Sequence, residues 1–214
     1  MANNTTFLID VFLVIFIGMG PVKALLVYLS LTQEADQSLR RRIAQKAVVT
    51  ATIVGLLLLV AGKLFMSILH FSTSALTIAG GLILLILALS IVLSSPEKPK
   101  QEETVDEESL LSKAIYPLGI PLLLNPVGIV ALTVFSAETE TIVQTGFIAL
   151  MVLVVAVLDF GIFLVSHRLN KYLTHERILV LEKLLGILLA ALAVQMILNG
   201  LAELGVITMT GGGH

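Results

Sequence analysis

The chain has 214 residues, 57% of them apolar and 13% charged, with no Cys and a formal net charge of −2; its mean hydropathy is +1.02. A soluble domain is roughly 45–50% apolar and about 25% charged, so a soluble enzyme and a disordered chain are poor fits. Near-balanced charge leaves no cationic footprint for nucleic acid. Without Cys there is no disulfide framework, thiolate metal site or Cys nucleophile, and a polytopic membrane protein remains.

Apolar runs fall at 7–31, 46–69, 75–94, 114–136, 142–166 and 178–201. Each has the roughly 20 residues that carry a helix across about 30 Å of hydrocarbon. They are Leu, Ile, Val and Ala throughout, without the alternation of a porin strand, so helices are predicted rather than a barrel. The first run lacks a basic start and a small-residue cleavage site, and reads as a span rather than a signal peptide.

Span one carries Gly18-Met19-Gly20-Pro21 near its middle and Lys23 two residues later. Proline has no N–H and clashes with the preceding turn, and glycine eases the distortion, so a break is expected here. Lys23 at mid-depth is costly unless paired, neutral or facing water. It either snorkels to the nearer surface or pairs with Asp159, the misplaced charge of span five. Span three contains Ser90. After it, the Pro-, Glu- and Lys-rich stretch beginning at Ser94 reads as a solvated linker over 95–112, with partner docking as its other reading. Span four holds Pro117, Pro121 and Pro126 with Gly119, Asn125 and Gly128, so a second break is expected. Span six carries Gln195 and Asn199, which either line a pathway or bond between helices. Residues 208–214 read as a flexible tail.

Basic residues collect in three loops: Arg40, Arg41, Arg42 and Lys46; Lys98, Lys100 and Lys113; Arg168, Lys171, Arg177 and Lys183. With six spans these loops share one side, which the positive-inside rule makes cytoplasmic, so both termini are expected to be extracytoplasmic.

A shift of 105 lays Gly20-Pro21 over Asn125-Pro126, Gly81 over Gly186 and Ser90 over Gln195. Each half, 1–94 and 113–207, then has three spans, and an odd number puts the second half into the membrane the other way up. Inverted repeats are a common plan for secondary transporters. Breaks at matched positions free backbone groups at membrane depth, which must be buried in protein or line a wet cavity. Half-helix N-termini there suit a carboxylate, and freed carbonyls suit an ammonium or cation. The expected substrate site is therefore Gly20, Pro21, Lys23, Asn125, Pro126 and Gly128, with Asp159, Ser90 and Gln195 as coupling or pathway residues. No H-E-x-x-H, G-x-S-x-G or P-loop motif is present, so no enzyme activity, cofactor or metal is expected.

Four ordered stretches carry a family resemblance: Arg40-Arg41-Arg42-Ile43-Ala44-Gln45-Lys46-Ala47, Ile78-Ala79-Gly80-Gly81, Pro117-Leu118-Gly119-Ile120-Pro121 and Leu192-Ala193-Val194-Gln195-Met196-Ile197-Leu198-Asn199-Gly200. With the six spans and their proline breaks, they resemble the MarC family of prokaryotic integral membrane proteins, from Phe7 to Leu204. The resemblance implies an inner-membrane location and a grouping with transporters of small neutral amino acids. It also marks departures. Many members have Asp-Pro-x-Gly where this chain has Gly20-Pro21-Val22-Lys23, Gly-Pro-Gly where it has Asn125-Pro126-Val127, and an acid near Ser90.

The fold expected is an all-α membrane protein: six transmembrane helices as an inverted-topology 3+3 repeat, with spans one and four broken at proline. The function expected is secondary transport of a small neutral amino acid or similar solute; a non-transporting scaffold docking through the acidic linker is the alternative. Expected partners are membrane lipid and a small-molecule substrate, with no nucleic acid; a homo-oligomer is allowed.

Overall fold

The computed structural model describes residues 2–33, 35–93, 106–170 and 175–208; the side chains of 2–8, 10, 22, 23, 167–170, 175–179, 181, 182 and 185 are outside that description. All regular structure among the described residues is helical. The helices are α1 (Ala2–Gly18), α2 (Pro21–Leu31), α3 (Gln37–Leu69), α4 (Thr73–Leu93), α5 (Glu107–Lys113), α6 (Pro126–Glu138), α7 (Ile142–Asn170) and α8 (His175–Glu203). A wound but broken segment, Ala114–Leu123, joins α5 to α6.

The described part of every predicted apolar run is helical, and both proline-bearing runs are interrupted. Residues 95–105 of the expected linker and most of the expected tail lie outside the described residues. The linker's last residues are not loop: Asp106 accepts from the Ser109 N–H at 2.9 Å and starts α5.

Four unbroken helical stretches are long and apolar enough to span: Gln37–Leu69, Thr73–Leu93, Ile142–Ser166 and Gly186–Glu203. Glu107–Leu123 with Pro126–Glu138 makes a fifth, bent by 67°. Only 22–33% of the most apolar window of each unbroken helix is buried, so most of the apolar surface faces outward, as a lipid-solvated protein requires. At 1.5 Å per residue α3 is about 50 Å long. It therefore outruns the hydrocarbon and can hold Arg40, Arg41 and Arg42 beyond it.

Local chemistry explains the element ends. Asp36 accepts from the Leu39 N–H at 2.8 Å and starts α3. Arg40 then donates from Nε to the Thr32 carbonyl and from Nη2 to that of Gln33, each at 3.0 Å. A cation thus closes the negative end of α2. The Tyr28 hydroxyl donates to the Arg40 carbonyl at 3.1 Å, locking the α2–α3 corner.

The most extensive helix pair is α4 with α8, which run antiparallel. Their glycines set the spacing. A Cβ at Gly81 would lie 2.8 Å from the Ala193 carbonyl oxygen and from an Ile197 side-chain carbon; one at Gly186 would lie 2.7 Å from Val92 and 3.4 Å from the Ala88 carbonyl oxygen. Around this pair, α3 packs on the broken segment, α6 and α7, and α7 packs on α1 and α2.

Candidate functional site

The two breaks meet. Because residue 21 is proline, the Ile17 carbonyl has no N–H four residues on to accept from. That carbonyl instead accepts from Asn125 Nδ2 at 2.7 Å. The neighbouring Gly18 carbonyl accepts from the Asn125 backbone N–H at 3.0 Å. Asn125 Oδ1 turns the other way and accepts from the Val127 and Gly128 N–H groups, at 2.8 and 3.2 Å. It is an N-cap for α6, with Pro126 in the first helical position, where a missing N–H costs nothing. One buried side chain thus answers the freed carbonyl of the first break and the freed donors of the second.

The crossing is closer than side chains allow. A Cβ on Gly18 would stand 2.4 Å from Gly128 Cα, and one on Gly128 would stand 2.3 Å from the Gly18 carbonyl oxygen. Only glycine at both positions lets the two backbones touch.

The first break is built differently. Gly20 is extended (φ −77°, ψ 142°) and stands at the N-cap position of α2, with Pro21 following. It has no side chain with which to accept from the first-turn N–H groups of α2. A Cβ there would meet the Phe16 carbonyl oxygen at 2.4 Å, so no capping residue fits. The second break is longer: Tyr116 and Ile120 leave helical geometry, the peptides before Pro117 and Pro121 are cis, and Leu124 N–H reaches back to the Gly119 carbonyl at 2.9 Å.

Asp159 belongs to the inward face of α7, where Ile148, Val152, Val155, Phe163 and Ser166 are also buried at three- and four-residue spacing. It is 0% exposed, and neither carboxyl oxygen has a hydrogen-bond partner among the described residues. Its level follows from two contacts. Met19 and Val152 both lie within 4 Å of a Cβ placed on Gly55, and the Phe163 ring stacks on Tyr28 at 4.7 Å. Helix α7 therefore runs parallel to α2, with Asp159 beside the first turns of α2. Past the Tyr28–Phe163 pair, a cavity of about 430 Å³ opens between Gln37, Arg40 and Arg41.

Of the residues expected from sequence, Asn125 and Gly128, with Pro126 between them, meet the first break at Ile17 and Gly18 rather than at Gly20 or Pro21, and Asp159 lies on α7, which packs on α1 and α2. The side chain of Lys23, and with it the expected Lys23–Asp159 pair, lies outside the described residues. Ser90 and Gln195 are not brought to the breaks. Both are exposed; Ser90 bonds the Leu87 carbonyl at 2.7 Å, and Gln195 bonds Asn199 at 2.8 Å. Sequence reasoning missed Gly18 as half of the crossing, and Tyr28 and Phe163 as the aromatic pair. Gly18 carried a signal, since a second glycine two residues before Gly20-Pro21 marks a close approach.

The family profile described as MarC family integral membrane protein matches residues 5–205. A UPF0056 membrane protein of Archaeoglobus fulgidus is 28% identical over 211 residues, covering 95% of this chain and 96% of its own. One from Methanocaldococcus jannaschii is 30% identical over 200 residues, covering 90% and 86%. The UPF0056 inner membrane protein YhgN of Escherichia coli is 27% identical over 183 residues, covering 86% and 90%. No solved structure matches the chain.

Proposed function

The chain belongs to the MarC family of integral membrane proteins and crosses the membrane several times; from that premise we propose that it is a secondary transporter of small neutral amino acids or similarly small zwitterions. The carrying observation is the direct contact of two helix breaks through Asn125. Irregular backbone at membrane depth is tolerated where protein or a wet cavity receives it, and transporters place substrate at such points.

The two ends of a zwitterion have matching partners here. The uncapped N-terminus of α2 carries the positive end of a helix dipole and offers N–H donors to a carboxylate. Asp159, on the neighbouring α7, offers an ammonium a carboxyl group that has no hydrogen-bond partner among the described residues. The close glycine crossing of Gly18 and Gly128 next to the first break leaves little room, which favours a small side chain.

Alternating access follows from an inverted-topology 3+3 repeat, in which α1 with α2 counts as the sixth span. Reciprocal packing supports it. The shift of 105 that takes Gly81 to Gly186 also takes Ala193 to Ala88 and Ile197 to Val92, so the glycine contacts of α4 on α8 map onto those of α8 on α4. In the same way α3 packs on the second break and α7 on the first. Both termini are then extracytoplasmic. The chain has no Cys, so single cysteines at Ser38 and Thr141 should label from opposite sides of a sealed vesicle.

The deciding experiment is uptake of labelled glycine and alanine into proteoliposomes under imposed proton or sodium gradients. Saturable uptake that is lost in Asp159→Asn supports transport; no flux of any small zwitterion under any ion gradient sinks it.

A further inference from the structure

We propose that the groove between α3 and α7 is a binding site for one acyl chain of an anionic phospholipid, whose phosphate is held at Arg41. The groove has a volume of about 610 Å³ and is walled by Val49 and Ile53 of α3 and by Leu153 and Val157 of α7, with Arg41 and Gln45 at one end. All four apolar walls are well exposed, Val157 at 72%, so the groove opens outward into lipid rather than into the protein.

Its length matches one leaflet. Arg41, Gln45, Val49 and Ile53 repeat every four residues and form one stripe along α3. Twelve residues at 1.5 Å each give about 18 Å, against roughly 15 Å for half of a hydrocarbon core about 30 Å thick. A chain entering beside Arg41 would therefore end near the bilayer midplane. The one polar wall group, the Thr52 hydroxyl, is already bonded to the Val48 carbonyl at 2.7 Å and asks nothing of a ligand.

The charge at the mouth selects the headgroup. Arg40 is engaged by the Thr32 and Gln33 carbonyls, and Arg42 is paired with Glu107. Arg41, between them, has no hydrogen-bond partner among the described residues and lines the end of the groove. A guanidinium takes two phosphate oxygens in its planar fork, and the Gln45 amide one turn deeper adds a donor for the ester region. A zwitterionic lipid would fill the same groove, but its own ammonium competes for the phosphate. The site therefore prefers phosphatidylglycerol to phosphatidylcholine.

The chain has no Trp, so a single tryptophan reports locally. Ile53→Trp is placed at the deep end of the groove, and Ile86→Trp on the exposed face of α4 serves as the control. Each is reconstituted into phosphatidylcholine nanodiscs containing a minor fraction of chain-brominated phosphatidylglycerol or, separately, brominated phosphatidylcholine. Quenching of Ile53→Trp should show about fivefold enrichment of the anionic lipid, the weight of one basic side chain beside an anionic surface, and Ile86→Trp should show none. Adding Arg41→Gln should remove the preference. Adding Thr52→Phe, which fills the groove and leaves Arg41 in place, should bring quenching down to the level of Ile86→Trp, with no preference for the anionic lipid. Equal enrichment at both tryptophans overturns the proposal. So does enrichment that survives Arg41→Gln, enrichment that survives Thr52→Phe (a surface-charge effect alone), or an Ile53→Trp shielded from lipid because a second copy covers the groove. None of these readouts measures transport, so the site stands or falls apart from the transport reading.

Discussion

The two helix breaks use the same residue, proline, and arrive at opposite chemistry. At the second break Asn125 caps α6 and reaches across to the Ile17 carbonyl, so its polar groups are matched within the protein. At the first break Gly20 has no side chain, and the Phe16 carbonyl leaves no room for one. One helix start is capped by a side chain that also bridges the breaks, and the other has no side-chain cap. Two breaks that share a Pro therefore need not share their chemistry. Proline sets where each helix starts, and the residue before it decides whether a side chain caps the first-turn donors.

The strongest test of the joint is to add one carbon to it. Gly128→Ala places a methyl 2.3 Å from the Gly18 carbonyl oxygen, a backbone atom that cannot turn aside. We expect a loss of about 3 kcal/mol, the upper end for overpacking, read as a large fall in the temperature at which the purified protein loses its monodisperse elution peak. Gly161→Ala, where a Cβ meets nothing within 4 Å, should be neutral or stabilising by up to about 1 kcal/mol through helix propensity. A tolerated Gly128→Ala would mean that the breaks do not touch.

Removing the bridge rather than crowding it should cost less. Asn125→Ala loses an N-cap, worth about 0.5–2 kcal/mol, and leaves the Ile17 carbonyl without its donor, worth about 1 kcal/mol more. Asn125→Asp separates the two roles: its oxygen still caps α6 but cannot donate to Ile17. It should melt below wild type, because an acceptor then faces an acceptor. If it melts at the wild-type temperature, the bond between the breaks contributes nothing.

The uncapped side should behave in the opposite sense. Asp159 is buried with no hydrogen-bond partner among the described residues, and such a carboxyl is unfavourable for folding, so Asp159→Asn should leave stability unchanged or raise it by about 1 kcal/mol, while abolishing uptake. Stability given up at a site that needs its polar group is the signature of function. A variant that keeps full uptake would make Asp159 a bystander of the core.

The crossing illustrates how far the sequence reaches. The helical apolar runs and their two proline breaks were legible because hydropathy and a missing N–H are one-dimensional signals. That the linker's end is helix α5 was legible too, in the capping residue Asp106, but the charge-rich composition outweighed it. The partner of the Ile17 carbonyl was not legible, since Asn125 lies 108 residues away and only packing brings it there. Burial side was hidden for a related reason. In an all-apolar helix neither face advertises itself, so Ser90 and Gln195 looked as inward as Asp159.

That last ambiguity yields the smallest expected effect. Ser90 and Gln195 answer one another under the shift of 105, yet both are exposed and satisfy themselves within their own helices. If the breaks hold the substrate, neither should matter to it. Ser90→Ala and Gln195→Leu should stay within about 0.5 kcal/mol of wild type, as surface substitutions do, and should leave uptake kinetics unchanged. Gln195→Leu is the more searching of the two. It removes an amide that faces outward at membrane depth, where hydrogen-bonding groups are disfavoured, so any shift in melting should be upward. A fall in uptake without a fall in stability would move the pathway from the crossing to the outer faces of α4 and α8.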